Sequence, residues 1–266
     1  MKKIHLDPSL FYLAPVVCNQ LIRVGRDFDG GYVLPDFVIT DAQCCISMGL
    51  SNDWSFEIDC KKMNPSLVIH AYDFSISKKK FIKKAFSGLF RFIFFSHSFE
   101  KMIERVKTSK SYLNFFQKDV IHYENRVYDK VDGPLDITVD KIFSRTDAEK
   151  ILVKVDIEGS EYRIIDDLLK YVHKIDCLAI EFHDTHPLRL IFEQKIKEIQ
   201  RHFEIVHLHA NNCAGIGKDG LPEVLEITFL KKHLLKTEER RLVLPLQNLD
   251  MQNSIHAEDI QLIFTA

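Results

Sequence analysis

The chain has 266 residues, 46% hydrophobic and 28% charged, enough for one well-filled core but cramped for two full domains, so residues 1–266 are expected to form a single domain. Its 36 basic and 38 acidic side chains, a formal charge of −2, give no overall reason to expect a polyanionic partner, and no nucleic acid is expected. The amino-terminal lysines resemble the start of a signal peptide, but His5, Asp7 and Pro8 break the apolar run, and no stretch reaches the ~18 apolar residues of a spanning helix.

Residues 1–40 form a lead-in containing the turn signal "DFDGGY". Short apolar, β-branched runs then recur at 42–49, 66–73, 113–119, 150–156, 177–184, 203–210 and 223–231, and each is predicted as a strand. Helical periodicity fills several of the gaps, most clearly in "SEYRIIDDLLKYVHK" and "PLRLIFEQKIKEIQRHF". Strand and helix therefore alternate, which predicts an α/β fold with a mostly parallel sheet and helices on both faces. Only the glycine-rich "NNCAGIGKDGLP" separates the last two strands, so the seventh should run antiparallel.

Two segments exceed this plan. Residues 78–110 are basic and rich in phenylalanine, with a helical stripe of Ile82, Phe86, Leu89 and Ile93. The stripe suits packing on the sheet, or peripheral membrane contact through residues 78–95. Residues 232–266 show no helical period and are expected to wrap the domain. The six cysteines, Cys18, Cys44, Cys45, Cys60, Cys177 and Cys213, have no CxxC spacing and read as reduced, mostly buried thiols, consistent with a cytoplasmic protein.

In an open α/β sheet, ligands bind beyond the carboxyl ends of the strands. Polar residues gather at those ends here: Gly49, Ser51, Asn52 and Asp53; Asp73; Asp119; Asp156 and Glu158; Glu181, His183 and Asp184; His207, His209, Asn211 and Asn212. For a single aspartate an N-cap is as good an explanation, and Glu158 and Glu161 suit the positive end of the following helix. The repetition over six strands favours a site.

"VKVDIEGSEY", followed further along by "AIEFHD", resembles the FkbM-type family of S-adenosylmethionine-dependent methyltransferases, whose core reads K-x-D-I-E-G-x-E. The resemblance covers roughly residues 20–231 and implies a Rossmann-like class I methyltransferase fold. It implies that Gly49 lets the backbone approach the cofactor, that Asp73 holds the ribose hydroxyls with Phe74 against adenine, and that Asp119 contacts the adenine amino group. Ser51 and Asn52 continue that loop. The family has an acid two positions before the strand-one glycine where this chain has Ser47; Glu57 or Asp29 would have to replace it.

Methyl transfer asks the protein to align an acceptor and help it lose a proton. Two routes fit. In one, His183 or His209 is a general base oriented by Asp156 or Glu181; in the other, Asp156, Glu181 and His209 hold Mn²⁺, Fe²⁺ or Zn²⁺ that activates the acceptor oxygen. The expected reaction is O-methylation of a hydroxyl on a sugar, glycan precursor or related small molecule. A nicotinamide-dependent dehydrogenase and a noncatalytic binding protein on the same fold remain the alternatives, although "SMGLSND" lacks G-x-G-x-x-G.

Overall fold

The structure, a computed structural model, describes residues 1–83 and 99–265. The lead-in holds β1 (Lys2–His5), a 3₁₀ turn (Pro8–Leu13) and an antiparallel hairpin of β2 (Leu21–Val24) and β3 (Tyr32–Pro35). One helical turn, α1 (Phe37–Thr40), leads into the alternating part: β4 (Cys44–Met48), α2 (Ser55–Met63), β5 (Val68–Tyr72), α3 (Phe99–Phe115) and β6 (Val120–Tyr123). A short parallel pair, β7 (Arg126–Val127) and β8 (Asp136–Ile137), precedes α4 (Val139–Phe143), β9 (Ile151–Val155), α5 (Glu161–Leu169), β10 (Ile175–Phe182) and α6 (Arg189–Ile199). Then come β11 (Phe203–Ala210), β12 (Leu225–Lys231), β13 (Val243–Leu244) and β14 (Ile260–Ile263).

Seven strands form one sheet in the order β11-β12-β10-β9-β4-β5-β6, parallel except for β12, which runs antiparallel to both of its neighbours. This is the mostly parallel, Rossmann-like sheet expected from the sequence, with its antiparallel seventh strand. Every residue of β4 and β9 is buried, as strands covered on both faces require. One face packs Ile46, Val153 and Ile180 against Ile164, Leu168 and Ile196 of α5 and α6; the other packs Cys45, Leu152 and Cys177 against Ile39, Phe56 and Leu34 of α1, α2 and the hairpin. The chain leaves β4 toward β5 and β6, then returns past β4 to β9. The switch point of the sheet therefore lies between β4 and β9.

The third strand is a correction. It was expected at 113–119, but Leu113 and Phe115 close α3 and the strand is Val120–Tyr123. Tyr112 and Phe116, four apart, meet in a tilted pair with ring centroids at 4.7 Å, and Phe116 also meets Trp54 at 5.8 Å. This i, i+4 aromatic pairing favours helix over strand in a run too short for periodicity to decide.

The carboxyl-terminal segment pairs β14 in parallel with β1 and antiparallel with β13. It is fastened to β11 by His207, 3.0 Å from Asp250, and by Asn212, which donates to the carbonyls of Ser254 and Ala257. Of the basic stripe, Ile82 is described and exposed, whereas Phe86, Leu89 and Ile93 lie outside the described residues, as does most of the segment expected to touch a membrane. Among the described residues no helix is long and apolar enough to cross a membrane.

Candidate active site at the carboxyl edge of the sheet

β4 and β9 stay joined past their ends. Asp156 N–H donates to the Met48 carbonyl at 2.9 Å, and Gly49 N–H to the Tyr72 carbonyl at 2.9 Å. Gly49 has φ +88°, and a Cβ there would collide with the Asp156 carbonyl oxygen. The glycine is thus demanded by the neighbouring chain at the switch point, a reason different from the cofactor approach implied by resemblance.

Asp73, first residue beyond β5, gathers the loop after β4: Oδ2 accepts from the N–H groups of Leu50 at 2.9 Å and Ser51 at 2.7 Å, and Oδ1 from Ser75 N–H at 2.6 Å. Burial pushes this carboxyl up, but the hydrogen bonds from Ser75, Leu50 and Ser51 outweigh it and hold the group below its ordinary value. Ser51, Glu158 and Asp184 all sit in the left-handed region, at φ +50°, +54° and +53°. Such sparsely populated conformations in non-glycine residues concentrate at functional sites.

Two cavities open on this edge. The first, about 460 Å³, lies over β4, β5 and β9 and is lined by Gly49, Ser51, Asp73, half-exposed Phe74, Asn125 and Ser160 among others. The second, about 450 Å³, lies between the hairpin loop and the ends of β9 and β10, lined by Arg26, Asp53, Glu57, Lys154, Glu181 and His183 among others. Leu50, Ser51, Asp156 and Glu158 line both. Both volumes suit small ligands.

Asp156 is held from two sides. The Tyr32 hydroxyl donates to its Oδ2 at 3.2 Å, and Lys154 Nζ lies 4.0 Å from the same oxygen. Lys154 is buried, donates to the Gly49 carbonyl at 2.8 Å and lies 5.4 Å from the Tyr32 ring centroid. Burial alone would lower its pKa, but Glu57, Asp156 and Glu181 raise it, so it remains a cation. Glu57, fully buried on α2, accepts from the Ser47 hydroxyl; its Oε2 has no hydrogen-bond partner among the described residues. A carboxylate from α2 thus stands over Ser47, where the resembled family has its acid on strand one.

The "DIEGSE" turn closes on Glu161. Its buried Oε1 accepts from the N–H groups of Ile157 at 3.1 Å and Gly159 at 3.0 Å, and lies 3.2 Å from His183 Nδ1. Glu161 is the anchor expected from the sequence and also orients a histidine. Glu158 departs from the expected anchoring role: its side chain is 85% exposed, with Oε2 3.6 Å from His183 Nε2. Burial would lower the His183 pKa, but Glu161, Glu181 and Asp156 raise it; Glu181 is itself raised by burial and by Asp156 and Glu226.

The structure distributes the expected residues unevenly. Gly49, Ser51, Asp73 and Phe74 line the first cavity, whereas Asn52 and Glu57 line only the second. Asp119 is a correction: it precedes β6, at the opposite edge of the sheet, 3.8 Å from Lys61, because the strand begins where it was expected to end. Asn125, beyond the true end of β6, lines the first cavity instead. His209 is a second correction. It is buried between Glu226 and Asp259, 3.5 Å from each, and lines neither cavity; β12 stands between it and Glu181. Asp156 is instead grouped with Glu158 and His183, whose ligand atoms lie within 4.8 Å of one another. Sequence reading missed Lys154 and Tyr32. A lysine two residues before Asp156 in a buried strand was a usable signal; Tyr32 offered none.

No protein-family model and no curated protein matches the chain. Among solved structures it is similar to a chain of the fibrillarin/Nop5p complex, at 13% identity and TM-score 0.38, over 71% of this chain and 73% of that one. It is similar to precorrin-6y C5,15-methyltransferase from Geobacter metallireducens GS-15, at 12% identity and TM-score 0.36, over 74% and 86%. It is also similar to an O-methyltransferase from Bacillus cereus in complex with SAH, at 8% identity and TM-score 0.36, over 74% and 80%. At these identities the likeness concerns the fold alone.

Proposed function

We propose that the protein is an S-adenosylmethionine-dependent methyltransferase acting on a hydroxyl of a sugar, glycan precursor or related small molecule. One observation carries this reading: two ligand-sized cavities meet over the switch point, sharing the wall formed by Leu50, Ser51, Asp156 and Glu158. Methyl transfer needs two ligands to meet end to end, and a shared wall provides the meeting place.

The first cavity suits the cofactor. Phe74 leaves an aromatic face half exposed at its wall, and Asp73 presents an acid at the end of β5. When bound, S-adenosylmethionine supplies a methyl group already made electrophilic by its sulfonium. The chain's own residues do the remainder. Asp156, fixed by Tyr32 and Lys154, receives the hydrogen bond of the acceptor hydroxyl. His183 stands beside it on the acceptor side, turned by Glu161. The neighbouring carboxylates raise its pKa, so direct proton abstraction by His183 would make turnover climb with rising pH.

The test is calorimetry with S-adenosylhomocysteine and NAD in parallel, followed by turnover on hydroxylated sugars. Binding of NAD in preference to S-adenosylhomocysteine would replace this reading with a dehydrogenase. Tight S-adenosylhomocysteine binding with no methyl transfer to any acceptor would favour a binding protein.

A further inference from the structure

The second cavity holds three potential metal ligands that converge from separate points of the chain: Asp156 just beyond β9, Glu158 in the following turn and His183 just beyond β10. One ligand atom from each lies within 4.8 Å of the other two, and His183 Nε2 lies 3.6 Å from Glu158 Oε2. Bonds of about 2.0 to 2.2 Å place ligand atoms roughly 3 to 4.4 Å apart around one ion, so the three donors stand within a small side-chain adjustment of one coordination shell.

The surroundings hold the other two ligands in place. Glu161, buried and itself fixed by two backbone N–H groups, engages His183 at Nδ1, which leaves Nε2 as the ring atom facing the carboxylates. A carboxylate on the far nitrogen is the usual support of a metal-binding histidine. Tyr32 occupies one oxygen of Asp156 and leaves Oδ1. Glu181 Oε2, 3.9 Å from His183 Nε2, stands within reach as a fourth donor. The cavity wall carries six acidic residues, Asp29, Asp53, Glu57, Asp156, Glu158 and Glu181, against the cations Arg26 and Lys154, an acidic excess that suits a bound cation.

We propose that Asp156, Glu158 and His183 form a divalent transition-metal site in the second cavity, at the wall it shares with the first. Mixed carboxylate and imidazole donors suit Mn²⁺, Fe²⁺ or Zn²⁺ rather than Ca²⁺. The role of such an ion, binding the acceptor hydroxyl and easing its deprotonation, rests on the methyltransferase reading; the site itself does not.

The experiment is titration of Mn²⁺ alone into the tag-free, metal-stripped chain, followed by the loss of the free-ion EPR signal, with S-adenosylhomocysteine affinity measured on the same metal-free samples. One saturable site per chain is expected, weakened at least tenfold in His183→Gln and in Glu158→Gln and unchanged in His186→Gln, a control whose exposed ring lies 4.0 Å from Asp219 and lines neither cavity. Glu158 is largely exposed, so its variant should remain folded, and circular dichroism checks this. Absence of a saturable site at millimolar Mn²⁺, or a site that survives both substitutions, overturns the proposal. S-adenosylhomocysteine binding without Mn²⁺ binding would sink the metal site and leave the methyltransferase reading standing; the converse would do the reverse.

Discussion

The Tyr32 hydroxyl donates to Asp156 Oδ2 at 3.2 Å across a separation of 124 residues, joining the amino-terminal hairpin to the strand end at the centre of the site. The hairpin is thus part of the site wall. Tyr32→Phe should cost about 1 kcal/mol of stability, the usual net worth of one such bond. Because Asp156 would lose a fixed orientation, turnover should fall several-fold while affinity for S-adenosylhomocysteine holds. Equal losses in both would mean that Tyr32 supports the fold only.

Gly49→Ala tests the closeness of β4 and β9. The new methyl group would meet the Asp156 carbonyl in a backbone conformation already unfavourable for alanine. A loss of at least about 2 kcal/mol is expected in urea unfolding. A variant as stable as the parent would show that the two strand ends can separate without penalty.

His209 gives a pH dependence. Burial would lower its pKa, but Asp259 and Glu226 push it up to about 10 from an ordinary 6.5. A group raised on folding contributes stability that is fully present below pH 6.5 and is lost as the pH climbs toward 10. Urea midpoints measured from pH 6 to 10 should therefore decline, and His209→Gln should flatten the decline. A parent midpoint independent of pH over this range would remove the charged clamp between β11 and the carboxyl-terminal segment.

The same histidine shows what the sequence could and could not disclose. Alternation placed His207 and His209 on one face of a strand correctly, since both meet acids of the carboxyl-terminal segment. Periodicity carries no information about which distant segment covers that face, so a buried clamp looked like a catalytic residue. Long, regular elements were legible: β11 lies where it was expected, and β9 and β10 are displaced by at most two residues at either end. The third strand was not, because "LNFFQKD" is apolar enough for either structure and only its packing on Trp54 and Tyr112 decides. Asp156 and His183 could be located because they follow recognisable strands. Glu57 was a candidate only as a substitute for the family's missing strand-one acid, and Tyr32 reaches the site by tertiary packing alone.

The cofactor reading meets its most direct test at Asp73, whose carboxylate organises the loop after β4 and lines the first cavity. Calorimetric titration of S-adenosylhomocysteine should show one site per chain in the parent and at least a tenfold weaker one in Asp73→Ala, because charge-assisted hydrogen bonds would be lost. Asp73→Asn, which keeps the side chain's shape, should fall between them. A parent chain that fails to bind S-adenosylhomocysteine, or a folded Asp73→Ala variant that binds it as the parent does, would contradict the assignment of the first cavity.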